Sequence, residues 1–282
     1  MRGLIGVRQM ADWLHARGNP WKALVLLRAY FDESGTHAGA AATVIGGYVG
    51  TAEAWASVET KWSGILDPHR PKVTWFHMTD CIGKKNQFAD MDSVVCGVLQ
   101  RALAKVLKES EVEPIYMGVD SGVYEAATSP EFRRKFPKPY DYCFFNIVRH
   151  LDYWSRSDAN GTPVAMLFGV TDEYNDRSKQ ALEAWSRYRM FPTLGPIAFD
   201  YPWRCVPIQP ADMLVHELAA SWDKWAHSPT PGQIEITPIL AAMVKKPVLG
   251  GFAGEEALRK HVANRDWLNP GPPFGGLSGS SS

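Results

Sequence analysis

The sequence is poor in cysteine and has no excess of charge of either sign. Its four cysteines in 282 residues form no C-x-x-C pair, which argues against zinc ribbons and thioredoxin-like chemistry and favours buried, reduced thiols. Lysine plus arginine equals aspartate plus glutamate at 30 each. No overall field therefore attracts the chain to nucleic acid or to an anionic membrane, and any contact with a polyanion must be local.

Long hydrophobic runs are also missing. The longest apolar stretch, Ala38–Val49, is interrupted by glycines and falls short of the roughly 18 residues that a membrane-spanning helix needs. The segment Met1–Val7 carries one charge and precedes no long apolar region, so it is a poor secretory signal. We therefore expect no membrane association and a cytoplasmic location, while the sequence gives no indication of an oligomeric state.

Several common catalytic motifs are absent. His216-Glu217 lacks the second histidine of H-E-x-x-H because position 220 is Ala220, and neither G-x-x-x-x-G-K-[ST] nor G-x-S-x-G occurs. These absences exclude zincin, P-loop and hydrolase-elbow chemistry.

The length and a hydrophobic content of 45% allow a full core and favour one elaborated domain. We expect an N-terminal extension over residues 1–22 and a core domain over residues 23–227. Residues 228–282 are rich in proline and glycine and end in a Gly/Ser tail, so we expect a C-terminal extension with a disordered end.

Within the core domain, two apolar runs flank the turn-prone Glu33-Ser34-Gly35 segment and predict an antiparallel hairpin. Later runs of strand length alternate with segments of helical spacing, which predicts parallel pairing. The predicted strands are Ala23–Phe31, Thr43–Val49, Val73–His77, Pro114–Val119, Val164–Val170 and Ile197–Phe199. One predicted helix begins after Thr51. The other predicted helices cover residues 95–106, 144–151, 176–189 and 210–225. The predicted fold class is α/β, with a mixed sheet whose first strands are antiparallel and whose later strands are parallel, and with helices on both faces.

Acidic residues stand where three of these strands end, namely Asp32-Glu33, Asp120 and Asp172-Glu173. Because the carboxyl ends of parallel strands line one edge of an open α/β sheet, acids distant in sequence can meet there. Crowded carboxylates repel one another, and a hard cation such as Mg²⁺ or Mn²⁺ removes that cost. The alternative is that each acid only forms a turn.

A further acid belongs to the predicted helix that follows Gln209. Pro210 suits the first helical position and would place Asp212 in the first turn, where the helix dipole favours the ionised carboxylate. His216 lies one turn beyond on the same face and could hydrogen-bond Asp212 or a phosphate. The alternative is a half-exposed structural histidine.

Together these segments resemble a known family. Asp32-Glu33-Ser34-Gly35 after an apolar strand, Phe76-His77, Asp172-Glu173 and Gln209-Pro210-Ala211-Asp212 opening a helix are similar to the family called domain of unknown function 3800. That family is assigned to the ribonuclease H-like superfamily, whose members cut or join phosphodiesters with metal-bound carboxylates. This chain departs from the family pattern at Thr74-Trp75, Pro210 and Asp200-Tyr201.

The resemblance implies the roles of individual residues. Asp32 would be the central ligand of one or two Mg²⁺ or Mn²⁺ ions, and the residues implied as catalytic are Asp32, Glu33, Asp172 and Asp212. Asp172, Asp212 and Asp120 would be further metal ligands, and the residues expected beside the ligands are Glu173, His77, His216 and Ser34. In a ribonuclease H-like sheet the fourth strand lies beside the first. Our strand count puts Asp120 there, whereas the resemblance favours Asp172, and we expect Asp172.

A basic segment is the candidate surface for nucleic acid. Bases and aromatics interleave in a predicted loop before a helix, as suits phosphate contact combined with base stacking. The basic residues concerned are Arg133, Arg134, Lys135 and Lys138, and the aromatics are Phe136 and Tyr140. A solvated basic loop is the alternative.

The function predicted from these features is metal-dependent hydrolysis of phosphodiesters, with nucleic acid as the candidate substrate. In a two-metal mechanism one ion activates the attacking water and the other stabilises the leaving oxygen. Two alternatives stay open, a non-catalytic module that binds nucleic acid or protein with the same fold, and a phosphatase acting on small esters. The sequence does not choose between DNA and RNA or between endo- and exo-cleavage.

Overall fold

The computed structural model describes residues 27–37, 39–68, 72–171, 174–187, 190–226, 236–245 and 248–264. The predicted N-terminal extension lies outside these residues, as do Asp172 and Glu173. None of the described helices is long and apolar enough to cross a membrane.

The first two strands form the predicted hairpin. Strands β1 (Leu27–Ser34) and β2 (Ala42–Gly50) pair antiparallel. The turn begins only at Gly35, whose φ of +74° suits glycine and where a Cβ would lie 1.7 Å from the Ala42 carbonyl oxygen. Asp32 therefore stands inside β1, opposite Gly46, and is not a turn residue.

Within the described residues, six strands form one mixed sheet in the order β5-β4-β1-β2-β3-β6. Strands β1, β2 and β3 pair antiparallel, whereas β4, β5 and β6 join by parallel pairing. This confirms the predicted α/β mixed sheet. The remaining strands are β3 (Glu113–Asp120), β4 (Val164–Gly169), β5 (Leu194–Asp200) and β6 (Leu249–Ala253).

Two differences from the predicted strands affect the site. The strand predicted over Val73–His77 is wrong, because the amides of Thr74 and Phe76 donate to the side chains of Gln87 and Gln209 instead of to a neighbouring strand. Strand β6 was not predicted; it lies within the segment expected to be a C-terminal extension and pairs with β3.

Helices connect the strands and continue beyond β5. The helices are α1 (Ala52–Leu66), α2 (Met78–Gly83), α3 (Ser93–Lys108), α4 (Ser121–Ala127), α5 (Pro130–Lys135), α6 (Pro139–Asp158), α7 (Asn175–Arg187), α8 (Ile208–Ala226), α9 (Pro238–Met243) and α10 (Glu255–Asn264). The Thr51 hydroxyl caps α1 by accepting a hydrogen bond from the Ala54 amide, as predicted. Helix α8 starts two residues before Pro210, since the first amides of a helix need no intrahelical acceptor and proline is tolerated there. Asp212 therefore lies in the second turn, and its predicted place in the first turn is wrong.

The two faces of the sheet pack against different helices. Tyr30 and Tyr48 belong to one core with residues of α1, α3 and α8. Phe31 and Ile45 belong to a second core with residues of α6. Because side chains alternate along a strand, Asp32 lies on the face covered by α8 and Glu33 lies on the opposite face.

One buried amide joins the segments around the start of α8. The Gln209 side chain is fully buried, and its Oε1 accepts hydrogen bonds from Trp62 Nε1 and the Phe76 amide, both at 2.9 Å. Its Nε2 donates to the Pro202 carbonyl oxygen at 2.8 Å. A single side chain thus fixes α1, the irregular segment 72–77 and the turn at 201–207 against the helix that carries Asp212.

We expect Gln209→Ala to lower the free energy of unfolding by about 3 kcal/mol, because it leaves two donors and one acceptor without partners in the interior. Urea denaturation of the two proteins measures this difference. The control is Gln100→Ala, since the half-buried Gln100 amide makes only a 3.6 Å contact with the Cys81 sulfur. Equal decreases in the free energy of unfolding of the two variants would show that the Gln209 hydrogen bonds do not contribute the expected stability.

Candidate functional site

The candidate site is built around Asp32 on the central strand β1. The Asp32 Oδ1 atom accepts a hydrogen bond from the Glu33 amide at 3.0 Å. A Cβ atom on Gly169, at the end of the adjacent strand β4, would lie 2.5 Å from the same oxygen. A methyl group at position 169 would therefore force the Asp32 carboxylate to move, and Gly169 is a site residue that sequence reasoning missed. The sequence feature that could have identified Gly169 is a glycine at the end of the otherwise apolar strand V-A-M-L-F-G.

Asp212 approaches from α8 and is held by the beginning of α2. The buried Asp212 carboxylate accepts a hydrogen bond at Oδ2 from the Met78 amide at 2.7 Å. Its Oδ1 lies 3.7 Å from His77 Nε2, and His77 Nδ1 lies 3.2 Å from Asp80 Oδ2. His77 is thus placed between two carboxylates, while a third of its side chain stays exposed.

Asp32 and Asp212 are close enough to repel each other. Burial raises the pKa of the Asp32 carboxyl well above its usual range, and the charges of Glu33 and Asp212 raise it further, while the Glu33 amide lowers it. Burial also raises the pKa of Asp212, opposed by His77, the Met78 amide and His216. The structure therefore brings together two carboxylates whose ionised forms are both destabilised.

Glu33 lies across the sheet from this pair. Burial raises the pKa of Glu33 to about 7, although a hydrogen bond from the Thr171 hydroxyl lowers it. Thr171 follows β4 and directly precedes Asp172, which lies outside the described residues. Thr171 therefore adjoins the site, and β4, the parallel neighbour of β1, leads toward Asp172.

Asp120 does not join this cluster. Strand β3 is separated from β1 by β2, and Asp120 lies four residues beyond Tyr116, the residue in register with Asp32 through Gly46. Strand spacing and rise place the two Cα atoms roughly 16 Å apart. Asp120 instead caps α4 by accepting from the Val123 amide at 2.8 Å, and it accepts from Trp222 Nε1 at 3.3 Å. The strand count that put Asp120 beside Asp32 included the strand at residues 73–77, which does not form.

Two predicted neighbours of the ligands occupy different positions. His216 lies close enough to lower the pKa of Asp212, and its Nδ1 atom is 3.8 Å from Glu217 Oε1. Ser34 is the last residue of β1, half-buried and opposite Val44. His216 is thus an electrostatic neighbour of the site, whereas Ser34 marks its edge.

The basic segment is not the predicted loop. Arg133, Arg134 and Lys135 form the last turn of α5, and Arg133 pairs with Glu125 at 2.9 Å. Phe136 and Tyr140 are buried in the core beneath α6, so the expectation that they offer ring faces to bases is wrong. The exposed cations of this segment are Arg134, Lys135 and Lys138.

Within the part of the chain that the structure describes, no group of three or more histidine, cysteine, aspartate or glutamate residues has the geometry of a complete metal site. Asp32 and Asp212 supply two carboxylates, and Asp172 and Glu173 are not among the described residues. No protein-family model, curated protein or solved structure matches the chain.

We expect Gly169→Ala to lower the free energy of unfolding by about 1–3 kcal/mol, because the added methyl group overlaps the Asp32 carboxylate. The control is Gly64→Ala in α1, where a methyl group meets nothing within 4 Å and alanine favours the helix by up to ~1 kcal/mol. Combining Gly169→Ala with Asp32→Ala should recover most of the loss. Additive losses in the double variant would contradict the predicted overlap.

The Glu33 carboxyl should make the metal-free protein less stable as the pH rises from about 4.5 to about 7. Between these values folded Glu33 keeps a proton that unfolded Glu33, with its usual pKa of 4.5, has released, so the folded state binds more protons and its stability falls with pH. The raised pKa values of Asp32 and Asp212 act in the same direction. Melting temperatures in chelator across this range should fall less steeply for Glu33→Gln than for the unaltered protein. Parallel curves would contradict the raised pKa of Glu33.

Proposed function

We propose that the protein is a divalent-metal-dependent phosphodiester hydrolase of the ribonuclease H-like kind, within the family called domain of unknown function 3800. The observation that carries the proposal is the placement of Asp32, half-buried on the central strand, near the buried Asp212 on α8, each with a raised pKa. The strand arrangement supports it, because the fourth strand lies beside the first and the first three are antiparallel.

The donor set suits Mg²⁺ or Mn²⁺. Both ions take carboxylate oxygens, and a cation between Asp32 and Asp212 would favour the ionised carboxylates that burial disfavours and would offset the charge of Asp212 felt by Asp32. Asp32 and Asp212 would hold the ion, with Asp172 as the proposed third ligand. When bound, such an ion stabilises charge on a phosphate and lowers the pKa of a coordinated water.

The described residues around this pair have distinct tasks in the proposed reaction. Glu33, with a pKa of about 7, lies on the opposite face of the sheet from Asp32 and Asp212, so it acts on the site through its charge, which raises the pKa of Asp32. The two ring nitrogens of His77 lie near the Asp80 and Asp212 carboxylates, and His77 lowers the pKa of Asp212, so it supports the ionised, metal-binding form of that carboxylate. The Met78 amide fixes the rotation of the Asp212 carboxylate.

We expect Asp32→Asn to lower cleavage with Mn²⁺ more than 100-fold, because the loss of a metal-binding charge removes several kcal/mol of transition-state stabilisation. The metal-free variant should melt at a higher temperature than the unaltered protein, since repulsion with Asp212 is relieved. Mn²⁺ should raise the melting temperature of the unaltered protein but raise that of the variant much less.

The matched control is Asp120→Asn. Asp120 lies away from the proposed ligands, so cleavage should stay nearly unchanged. Asparagine keeps one acceptor oxygen for the Val123 amide and loses the hydrogen bond from Trp222 Nε1, so stability should fall by about 1 kcal/mol. The substrates are single- and double-stranded DNA and RNA and a small phosphomonoester, each with Mn²⁺, Mg²⁺ or chelator.

Three outcomes would contradict the proposal. Undiminished cleavage by Asp32→Asn would remove Asp32 from the mechanism. Binding of nucleic acid or protein without turnover would favour the non-catalytic module. Hydrolysis of the phosphomonoester alone would favour a phosphatase of small esters.

A further inference from the structure

An exposed group of aromatic rings lies beside the carboxylates. We call Trp75, Tyr201 and Trp203 the aromatic platform. The Trp203 side chain is 48% exposed, and Trp75 and Tyr201 are half-buried. Tyr201 and Trp203 are stacked with ring centroids 4.3 Å apart and planes at 16°, and Trp75 meets Trp203 edge-on at 5.8 Å. Exposure of large rings at one place is typical of a binding surface.

The aromatic platform is continuous with the candidate site. The Trp75 ring lies 5.5 Å from the His77 ring, at an interplanar angle of 31°. His77 Nε2 in turn lies 3.7 Å from Asp212 Oδ1. One ring contact therefore separates the aromatic platform from the histidine that adjoins the proposed metal ligand.

Buried and backbone hydrogen bonds hold the aromatic platform in place. Gln209 fixes the amide of Phe76, next to Trp75, and the carbonyl of Pro202, between Tyr201 and Trp203. The Gln87 side chain donates to the Trp75 carbonyl oxygen. The platform is thus pre-organised by the same glutamine that stands three residues before Asp212, and binding a ligand there costs little ordering entropy.

We propose that the aromatic platform stacks unpaired bases of a single-stranded nucleic acid and so presents the neighbouring phosphodiester to Asp32 and Asp212. This inference rests on the proposed function. Bases in a duplex stack on one another, whereas unpaired bases are free to stack on aromatic side chains, whatever their sequence. Exposed basic residues lie near the aromatic platform and α2 in the sequence, and their charges suit phosphate contacts. They are Lys72, Lys84, Lys85 and Arg204.

The test measures binding without cleavage. The full chain is titrated in chelator against a fluorescein-labelled 12-residue oligothymidylate and against a labelled blunt duplex of the same length, and anisotropy is recorded. We expect the single strand to bind more tightly. Trp203→Ala should weaken that binding roughly 5- to 150-fold, the effect of losing one stacked base, and Trp203→Phe should restore most of it.

The control variant is Tyr153→Ala, which removes another exposed aromatic ring, 42% accessible, on α6. It should bind the oligothymidylate as tightly as the unaltered protein. Melting temperatures of all variants establish that each is folded, and because Trp203 is half exposed its replacement should leave the fold intact.

The outcomes separate this inference from the proposed function. Weaker binding by Trp203→Ala, with no cleavage of any substrate when Mn²⁺ is added, would support the aromatic platform and overturn the hydrolase. If cleavage depends on Asp32 but is faster on duplex and is unchanged by Trp203→Ala, the proposed role of the aromatic platform is wrong and the proposed hydrolase function stands. Absence of binding to any oligonucleotide would also overturn it and would leave a protein as the occupant.

Discussion

The placement of the Asp32 carboxylate near enough to Asp212 for the two charges to repel is the constraint on which the rest of the site depends. Three separate features enforce it. Gly169 leaves the space that Asp32 occupies, the Met78 amide holds Asp212, and Gln209 fixes the surrounding segments to α8. Because two ionised carboxylates at such a place repel each other, packing elsewhere must supply the free energy that keeps them together.

The two cores supply that free energy. Helix α8 buries Met213, Leu214 and Leu218 against the sheet. On the opposite face, most of the aromatic and aliphatic side chains of α6 are buried. A strand packed on both faces cannot shift its register by one residue without moving Asp32 to the opposite face of the sheet. The position of Asp32 is therefore fixed by packing, although its charge opposes burial.

Periodicity and the acids at strand ends predicted the hairpin, the mixed sheet and the candidate residue Asp32, because burial on two faces leaves a strong pattern in sequence. Asp212 was singled out by its place near the start of a predicted helix and by the family resemblance. The same reasoning missed features that depend on tertiary contact. Gly169 has meaning only when Asp32 lies opposite, and β6, with its G-G pair, has no apolar periodicity. Phe136 and Tyr140 were assigned to a stacking surface because sequence cannot distinguish a buried ring from an exposed one in a short segment.

The absence of the strand predicted at Val73–His77 helps to form the candidate site. These residues are apolar enough for a strand, but the amides of Thr74 and Phe76 are satisfied by two glutamine side chains. Residues 72–77 therefore take no place in the sheet, and the strand beside β1 is Val164–Gly169, which brings Thr171 to Glu33. Outside the sheet, this segment carries both rings toward the start of α8, where His77 meets Asp212 and Trp75 meets Trp203.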